Sequence, residues 1–198
     1  MIIARKRRIG IFGGTFDPIH VGHLVAAVNA RVAADLDELL LVVSNSPWQK
    51  EGSRAITPAE MRFLLVKDAV LGVDGLSASD IEILRGGSSF TIDTVEELNE
   101  ADPEVEVVLV VGADAAAGLA TWHRYEELAK RVELVVVNRP GAFVEPATLS
   151  DWNVSFVEVP SLAVSSTEIR QRVADGRPLD FLVSRHTIEF IASNHLYR

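Results

Sequence analysis

Two valine-rich runs, Val105-Glu106-Val107-Val108-Leu109-Val110-Val111 and Glu133-Leu134-Val135-Val136-Val137, most constrain what this chain can become. Both are nearly continuous in apolar β-formers. Strands of that kind are covered on both faces, and they belong to parallel sheets flanked by helices. Further β-type runs at 8–12, 38–43, 76–84 and 154–159 alternate with helical patterns at short intervals. The expected architecture is α/β, a Rossmann-like doubly wound parallel sheet with ligands at the carboxyl ends of its strands. Among the helical patterns, Leu24, Val28 and Val32 fall on one stripe. In Thr57-Pro58-Ala59-Glu60, an N-cap, an N1 proline and an N3 glutamate precede Met61, Leu64 and Leu65.

A chain of 198 residues buries enough surface for one core, so a single domain is expected, with residues 1–7 as a flexible lead-in. Its basic cluster, Arg5-Lys6-Arg7-Arg8, reads as a solvated approach to the first strand. The chain has no cysteine, which removes disulfides and thiolate metal sites and is compatible with a reducing compartment. It carries no apolar run long enough to span a bilayer and no signal-peptide pattern, so a cytoplasmic protein is expected. A net charge of -9 argues against a general binder of nucleic acid or anionic membrane. A homo-oligomer is compatible with the sequence but not encoded in any feature of it.

The first expected strand runs directly into Gly13-Gly14-Thr15-Phe16-Asp17-Pro18-Ile19-His20-Val21-Gly22-His23. Adjacent glycines permit a turn with positive φ and let a phosphate approach the amides. His20 and His23, three apart at the start of the next helix, can share a face near its positive end. The spacing also fits a plain βα turn with two surface histidines. Without a third ligand or a His-Glu-x-x-His pattern, a zinc site is disfavoured. Neither G-x-x-x-x-G-K-[ST] nor G-x-G-x-x-G occurs, which argues against a P-loop ATPase and an ordinary dehydrogenase. Far downstream, Ser165-Ser166-Thr167-Glu168-Ile169-Arg170 combines a capping box with hydroxyls and a guanidinium, with Gly176 placed to end the helix. It is either a well-capped helix or a second anion site.

Taken whole, the glycine-histidine string resembles the (T/H)xGH signature of the nucleotidylyltransferase superfamily, and 164–170 its I-S-S-T-x-I-R motif. Three further segments resemble bacterial nicotinate-nucleotide adenylyltransferases: Ser89-Phe90-Thr91-Ile92-Asp93-Thr94, Gly112-Ala113-Asp114 followed by Trp122-His123, and Arg139-Pro140-Gly141. The resemblance runs from about Ile9 to Tyr197. It implies transfer of AMP from ATP to nicotinate mononucleotide, releasing pyrophosphate, by in-line attack without a covalent intermediate. His20, His23, Lys50 and Arg170 would be catalytic, with His23 nearest the reacting phosphate. Gly13, Gly14, Thr15, Phe16, Ser165, Ser166 and Thr167 would bind ATP. Thr91, Asp114, Trp122 and His123 would bind nicotinate mononucleotide, with amide donors favouring a carboxylate over a carboxamide. Mg2+ would accompany ATP, with no metal site built from protein side chains.

Several residues stay open. Trp122 could stack on a pyridinium or cover the end of the sheet. Asp17 could orient the turn or bind a sugar, and Arg139 could contact a nucleotide or pair with an acid. Where many relatives carry P-P-H-K, this chain has Ser46-Pro47-Trp48-Gln49-Lys50, and Trp48 is a lid residue or packs on a helix. Ser184 stands where a proline is frequent, and His186 and His195 read as surface residues. Phosphopantetheine adenylyltransferase shares T-F-D-P and a G-H element, and a non-catalytic nucleotide sensor could share the fold.

Overall fold

In a computed structural model, which describes residues 5–47, 55–138, 146–160 and 162–198, the apolar runs form six parallel strands. They are β1 (Arg8–Gly14), β2 (Glu38–Val43), β3 (Leu76–Ser79), β4 (Glu106–Gly112), β5 (Glu133–Asn138) and β6 (Val154–Glu158). Their spatial order is β3-β2-β1-β4-β5-β6, and every neighbouring pair is parallel. The order reverses between β1 and β4, where crossovers to opposite faces leave a crevice at the carboxyl ends.

Alternation along β4 shows how the valine run is used. Val107, Leu109 and Val111 face one layer, with Ile92 and Val95 of α4 (Thr91–Ala101) and Leu128 of α6 (Tyr125–Arg131). Val108 and Val110 face the other, with Ala26, Ala27 and Ala30 of α1 (Val21–Ala33) and Leu65 and Val66 of α2 (Ala59–Ala69). Both faces are apolar because both are covered. A third cluster joins α7 (Ser166–Ala174) to α8 (Arg185–Ser193) through Val164, Ile169, Leu179 and Ile191. Two short helices, α3 (Ile81–Arg85) and α5 (Ala113–Ala116), follow β3 and β4. Among the described residues, no helix is long and apolar enough to cross a membrane.

The structure corrects several local expectations. The run at 76–84 is a four-residue strand followed by α3, because Asp80 begins a helical turn whose Leu84 is exposed. On α1, Val28 and Val32 are exposed, and the buried face is Gly22, Ala26, Ala27 and Ala30. Small residues win that face because they let the helix approach the sheet closely. On α2, Leu64 is likewise exposed while Arg62 is buried. Pro58, not Thr57, occupies the N-cap of α2, and the Thr57 hydroxyl donates to Tyr197 instead at 3.2 Å. The basic lead-in is exposed, as expected, and its arginines are also paired. Arg5 makes a two-pronged contact with Asp37 at 2.8 and 2.9 Å, Arg7 reaches Glu38 at 2.7 Å, and Arg8 bridges Glu106 and Glu133.

Arg62 organises the end of the sheet that matters for function. Its guanidinium is 1% exposed and donates to the carbonyls of Thr57 at 2.7 Å, Thr15 at 2.6 Å and Ser44 at 2.7 Å. The loops leaving β1 and β2 are thereby held to the start of α2. Replacing Arg62 by leucine leaves these carbonyls without their donor in a buried position, and each such loss costs about 1–3 kcal/mol. We expect R62L to lose about 3 kcal/mol or more of unfolding free energy in urea titration. A loss under about 1 kcal/mol would show that the guanidinium is dispensable.

Candidate active site

The site is built where β1 ends. Gly13 and Gly14 remain extended and paired with Val42 and Val43 of β2, and neither has positive φ. The left-handed residue is Phe16, at φ 47°, which corrects the expectation that the glycines make the turn. Phe16 is buried, and its ring lies against Gly14 so closely that a Cβ there would come within 2.7 Å of it. That ring packs edge-on to His23 at 5.0 Å and to Phe12 at 6.1 Å. Phe16 therefore supports the loop from beneath. A Cβ on Gly13 would meet nothing within 4 Å, so its open side faces the crevice.

His20 is the N-cap of α1 and His23 its N3 residue. Their rings stack with centroids 3.7 Å apart and planes 24° from parallel. The His20 main-chain N–H donates to His23 Nδ1 at 3.3 Å. A ring nitrogen that accepts carries no proton, so the neutral ring holds its hydrogen on Nε2, a ready donor to an anion. His20 is buried and His23 half-buried, consistent with one supporting ring and one presented ring.

The second motif is delivered to the same loop. Ser165 caps α7, its hydroxyl accepting from the Glu168 N–H at 3.1 Å, while the Glu168 carboxylate turns to Arg172 instead of completing a capping box. Gly176, at φ 67°, ends that helix, with the Arg177 N–H reaching the Arg172 carbonyl at 2.8 Å. The Ser166 hydroxyl donates to the Pro18 carbonyl at 2.9 Å. Arg170 donates to the Asp17 carbonyl at 2.8 Å and to the Thr167 hydroxyl at 3.0 Å. The N-termini of α1 and α7 thus converge on residues 17–20, which places two positive helix ends together. Asp17 is buried and accepts from the Tyr197 hydroxyl at 2.7 Å, so the structure assigns it to orienting the turn. Burial, then the contact with Asp17, pushes the Tyr197 phenol above its usual range, and Tyr197 stays a donor.

Beside this anion site a cavity of about 260 Å³ opens at the switch point. Its walls include Gly13, Gly14, Thr15, Phe90, Thr91, Trp122 and His123. His123 stacks on Phe90 with centroids 4.3 Å apart, and Trp122 Nε1 is buried without a protein acceptor. Asp114 lies at the exposed start of α5, outside the cavity lining. Lys50, Trp48 and Arg139 lie outside the described residues. Ser184 caps α8, donates to Asp68 at 2.8 Å and so ties α8 to α2, while His186 and His195 are exposed.

Sequence reasoning missed Arg62, Glu82 and Tyr197. Glu82 also lines the cavity, 6% exposed, with Oε1 accepting from Thr94 at 3.1 Å and Oε2 buried with no hydrogen bond at full geometry among the described residues. Arg85 joins the same network through Thr94 at 3.1 Å and Glu97 at 3.0 Å. Burial raises the Glu82 carboxyl above its ordinary 4.5, against the lowering by Ser89, Thr94 and Arg85. The raised value means that the native state holds this proton longer than the unfolded chain does. Stability from Glu82 is therefore full below pH 4.5 and lost as pH rises through the native value. E82Q keeps the acceptor for Thr94 and carries no charge. Its stability relative to the parent should rise in urea titrations as pH is taken upward from 4.5 through the raised native value, and an unchanged difference would refute the burial of a titrating acid.

With this geometry in view, the comparisons with known proteins are consistent at every level. The family model described as cytidylyltransferase-like matches residues 11–172. A Leifsonia xyli protein named "Probable nicotinate-nucleotide adenylyltransferase" is 44% identical over 193 residues, covering 98% of this chain and 95% of its own. A Streptomyces coelicolor protein of the same name is 44% identical over 186 residues, covering 94% and 98%. The fold resembles a Plasmodium falciparum nicotinic acid mononucleotide adenylyltransferase solved with NaAD, at TM-score 0.80 and 19% identity over 96% of this chain and 97% of that one. The family match over residues 11–172 and the relatives place the chain in the cytidylyltransferase-like class of nucleotidyltransferases. Within it, the chain belongs to the nicotinate-nucleotide adenylyltransferase family.

Proposed function

We propose that this enzyme joins nicotinate mononucleotide to the AMP part of ATP, giving nicotinate adenine dinucleotide and pyrophosphate. The observation that carries the reading is the stacked His20–His23 pair at the start of α1, facing the start of α7, beside an aromatic-walled cavity at the switch point. The anion site takes the triphosphate and the cavity takes the pyridine nucleotide. An oxygen of the nicotinate mononucleotide phosphate attacks the α-phosphorus of ATP, and the bond to the β-phosphate breaks opposite it. The electron pair leaves with pyrophosphate, and no enzyme–substrate bond forms. Catalysis then consists of alignment and charge neutralisation.

His23 Nε2–H donates to the phosphate at which charge builds, and the free amides at both helix starts hold the remaining oxygens. Ser165, Thr167 and Arg170 face the pyrophosphate side, with Arg170 fixed by Asp17 and Thr167. Among the described residues, no group of three or more His, Asp or Glu could hold a metal ion. Mg2+ would accompany ATP, bound by phosphate oxygens of the triphosphate and by water. Trp122 stacks on the cationic ring, and Thr91 with the main chain at Trp122 and His123 receives the carboxylate. The reading places the reaction in the cytosol, where ATP is supplied and thiols stay reduced.

Pyrophosphate release from ATP and magnesium, with nicotinate mononucleotide, nicotinamide mononucleotide and phosphopantetheine compared in parallel, tests the assignment. Clear preference for the first is the expected result. Preference for phosphopantetheine would move the chain to another branch, and ATP binding without turnover would make it a sensor. H23A should fold as the parent does and lose about 10²–10³ in kcat, as for removal of one donor to a developing charge. In W122L the KM for nicotinate mononucleotide should rise about tenfold with the KM for ATP unchanged, matching a stacking contribution of about 1–2 kcal/mol. An unchanged KM would return Trp122 to covering the end of the sheet.

A further inference from the structure

The loop that carries His20 is held by more than the motifs that flank it. Tyr197 lies in a turn after α8 with φ 64°, and its hydroxyl is shared between two elements far away in sequence. It donates to Asp17 Oδ1 at 2.7 Å and accepts from the Thr57 hydroxyl at 3.2 Å. Asp17 is 1% exposed, so its carboxylate depends on protein donors rather than water. The same residue offers its carbonyl to Arg170, and three positions later His20 begins the histidine stack. A further main-chain bond, Val21 N–H to the Leu182 carbonyl at 2.9 Å, ties the start of α1 to the segment before α8.

We propose that Tyr197 is a positioning residue for AMP transfer: through its hydrogen bond to Asp17 it sets the height of the 15–20 loop, and so the place of His20 and His23 against the triphosphate. The proposal rests on the reading of the histidine pair as the phosphate site. Without the hydroxyl, Asp17 Oδ1 loses the donor that ties it to the segment after α8, and the main chain that carries it can shift. That backbone is continuous with His20. Displacement of about 1 Å at a reacting group is enough to cost about 10²-fold in rate. The pyridine cavity has no contact with Tyr197 among its lining residues, so recognition of the mononucleotide should be spared. Thr57 connects the same hydroxyl to the start of α2, which Arg62 holds to Thr15, so the 15–20 loop is pinned from the two sides of one hydrogen-bond network.

The test is steady-state kinetics on Y197F, D17A and the double variant, with thermal denaturation of each. Y197F is expected to lower kcat by about 10–100-fold while the KM for nicotinate mononucleotide stays within about twofold, at a temperature where every variant is fully folded. The double variant should be no slower than the slower single, because the two groups act as one unit. Wild-type kcat in Y197F overturns the proposal, as does multiplication of the two losses in the double variant. A loss that follows the melting temperature and vanishes on cooling assigns Tyr197 a purely structural role and overturns it too. Should Y197F fail to fold, D17A removes the acceptor and reads the same bond from its other end, with the same expected split and the same refuting result. An unmodified enzyme that transfers AMP to none of the acceptors would instead refute the functional reading beneath the proposal.

Discussion

The loops that leave a parallel sheet carry carbonyls that no further strand receives, and here one guanidinium donates to several of them. Arg62 accepts burial at 1% exposure because its planar fork meets the carbonyls of Thr57, Thr15 and Ser44 at once. A lysine presents a single ammonium and could not span the same set. The consequence reaches the site directly. Thr15 is the first residue after β1, so fixing its carbonyl fixes where the loop to His20 starts.

The other end of that loop is set by packing. The face of α1 toward the sheet is Gly22, Ala26, Ala27 and Ala30, and a Cβ on Gly22 would come within 3.0 Å of Val164. With so little side chain between them, helix and sheet lie close, and the segment before α7 can reach the start of α1. This proximity lets Ser166 and Arg170 serve the loop's carbonyls at Pro18 and Asp17. The hydroxyl cluster and arginine of the second motif therefore do two jobs. They cap and dock a helix, and they leave its positive end beside that of α1.

The sheet was legible because its signal is local: a strand covered on both faces must be apolar along its covered length, and residues 107–111 and 134–137 are. The α1 stripe misled because hydrophobicity ranks Val28 above Ala27, whereas close packing reverses that order. Residues 76–84 misled because a buried strand and a short helix share the same apolar density, and only Asp80 marks the change. His20, His23 and the 165–170 motif were legible through their resemblance and their spacing. Arg62 left a faint trace, a charge placed at the buried spacing Ala59, Arg62, Val66. Glu82 and Tyr197 left none, since their partners are set by tertiary contacts 12 and 180 residues away.

The charge of the chain explains why the site is made in this way. A protein of net charge -9 repels a triphosphate at long range, and scattered lysines would do little to reverse that. Screening confines any compensating field to within about 8 Å at physiological salt. Helix ends suit such a task, because their amide dipoles are fixed by the backbone and act at short range without ordering a long side chain. Two of them meet at residues 17–20, with Arg170 held in place by hydrogen bonds to the loop itself. On the proposed reading the pyridine end faces the opposite requirement, a cationic ring with an anionic substituent, and the cavity beside the helix starts offers it aromatic faces with few charges. Both environments lie together at the strand-order reversal, so a single fold could align both nucleotides while each keeps the surroundings its charge demands.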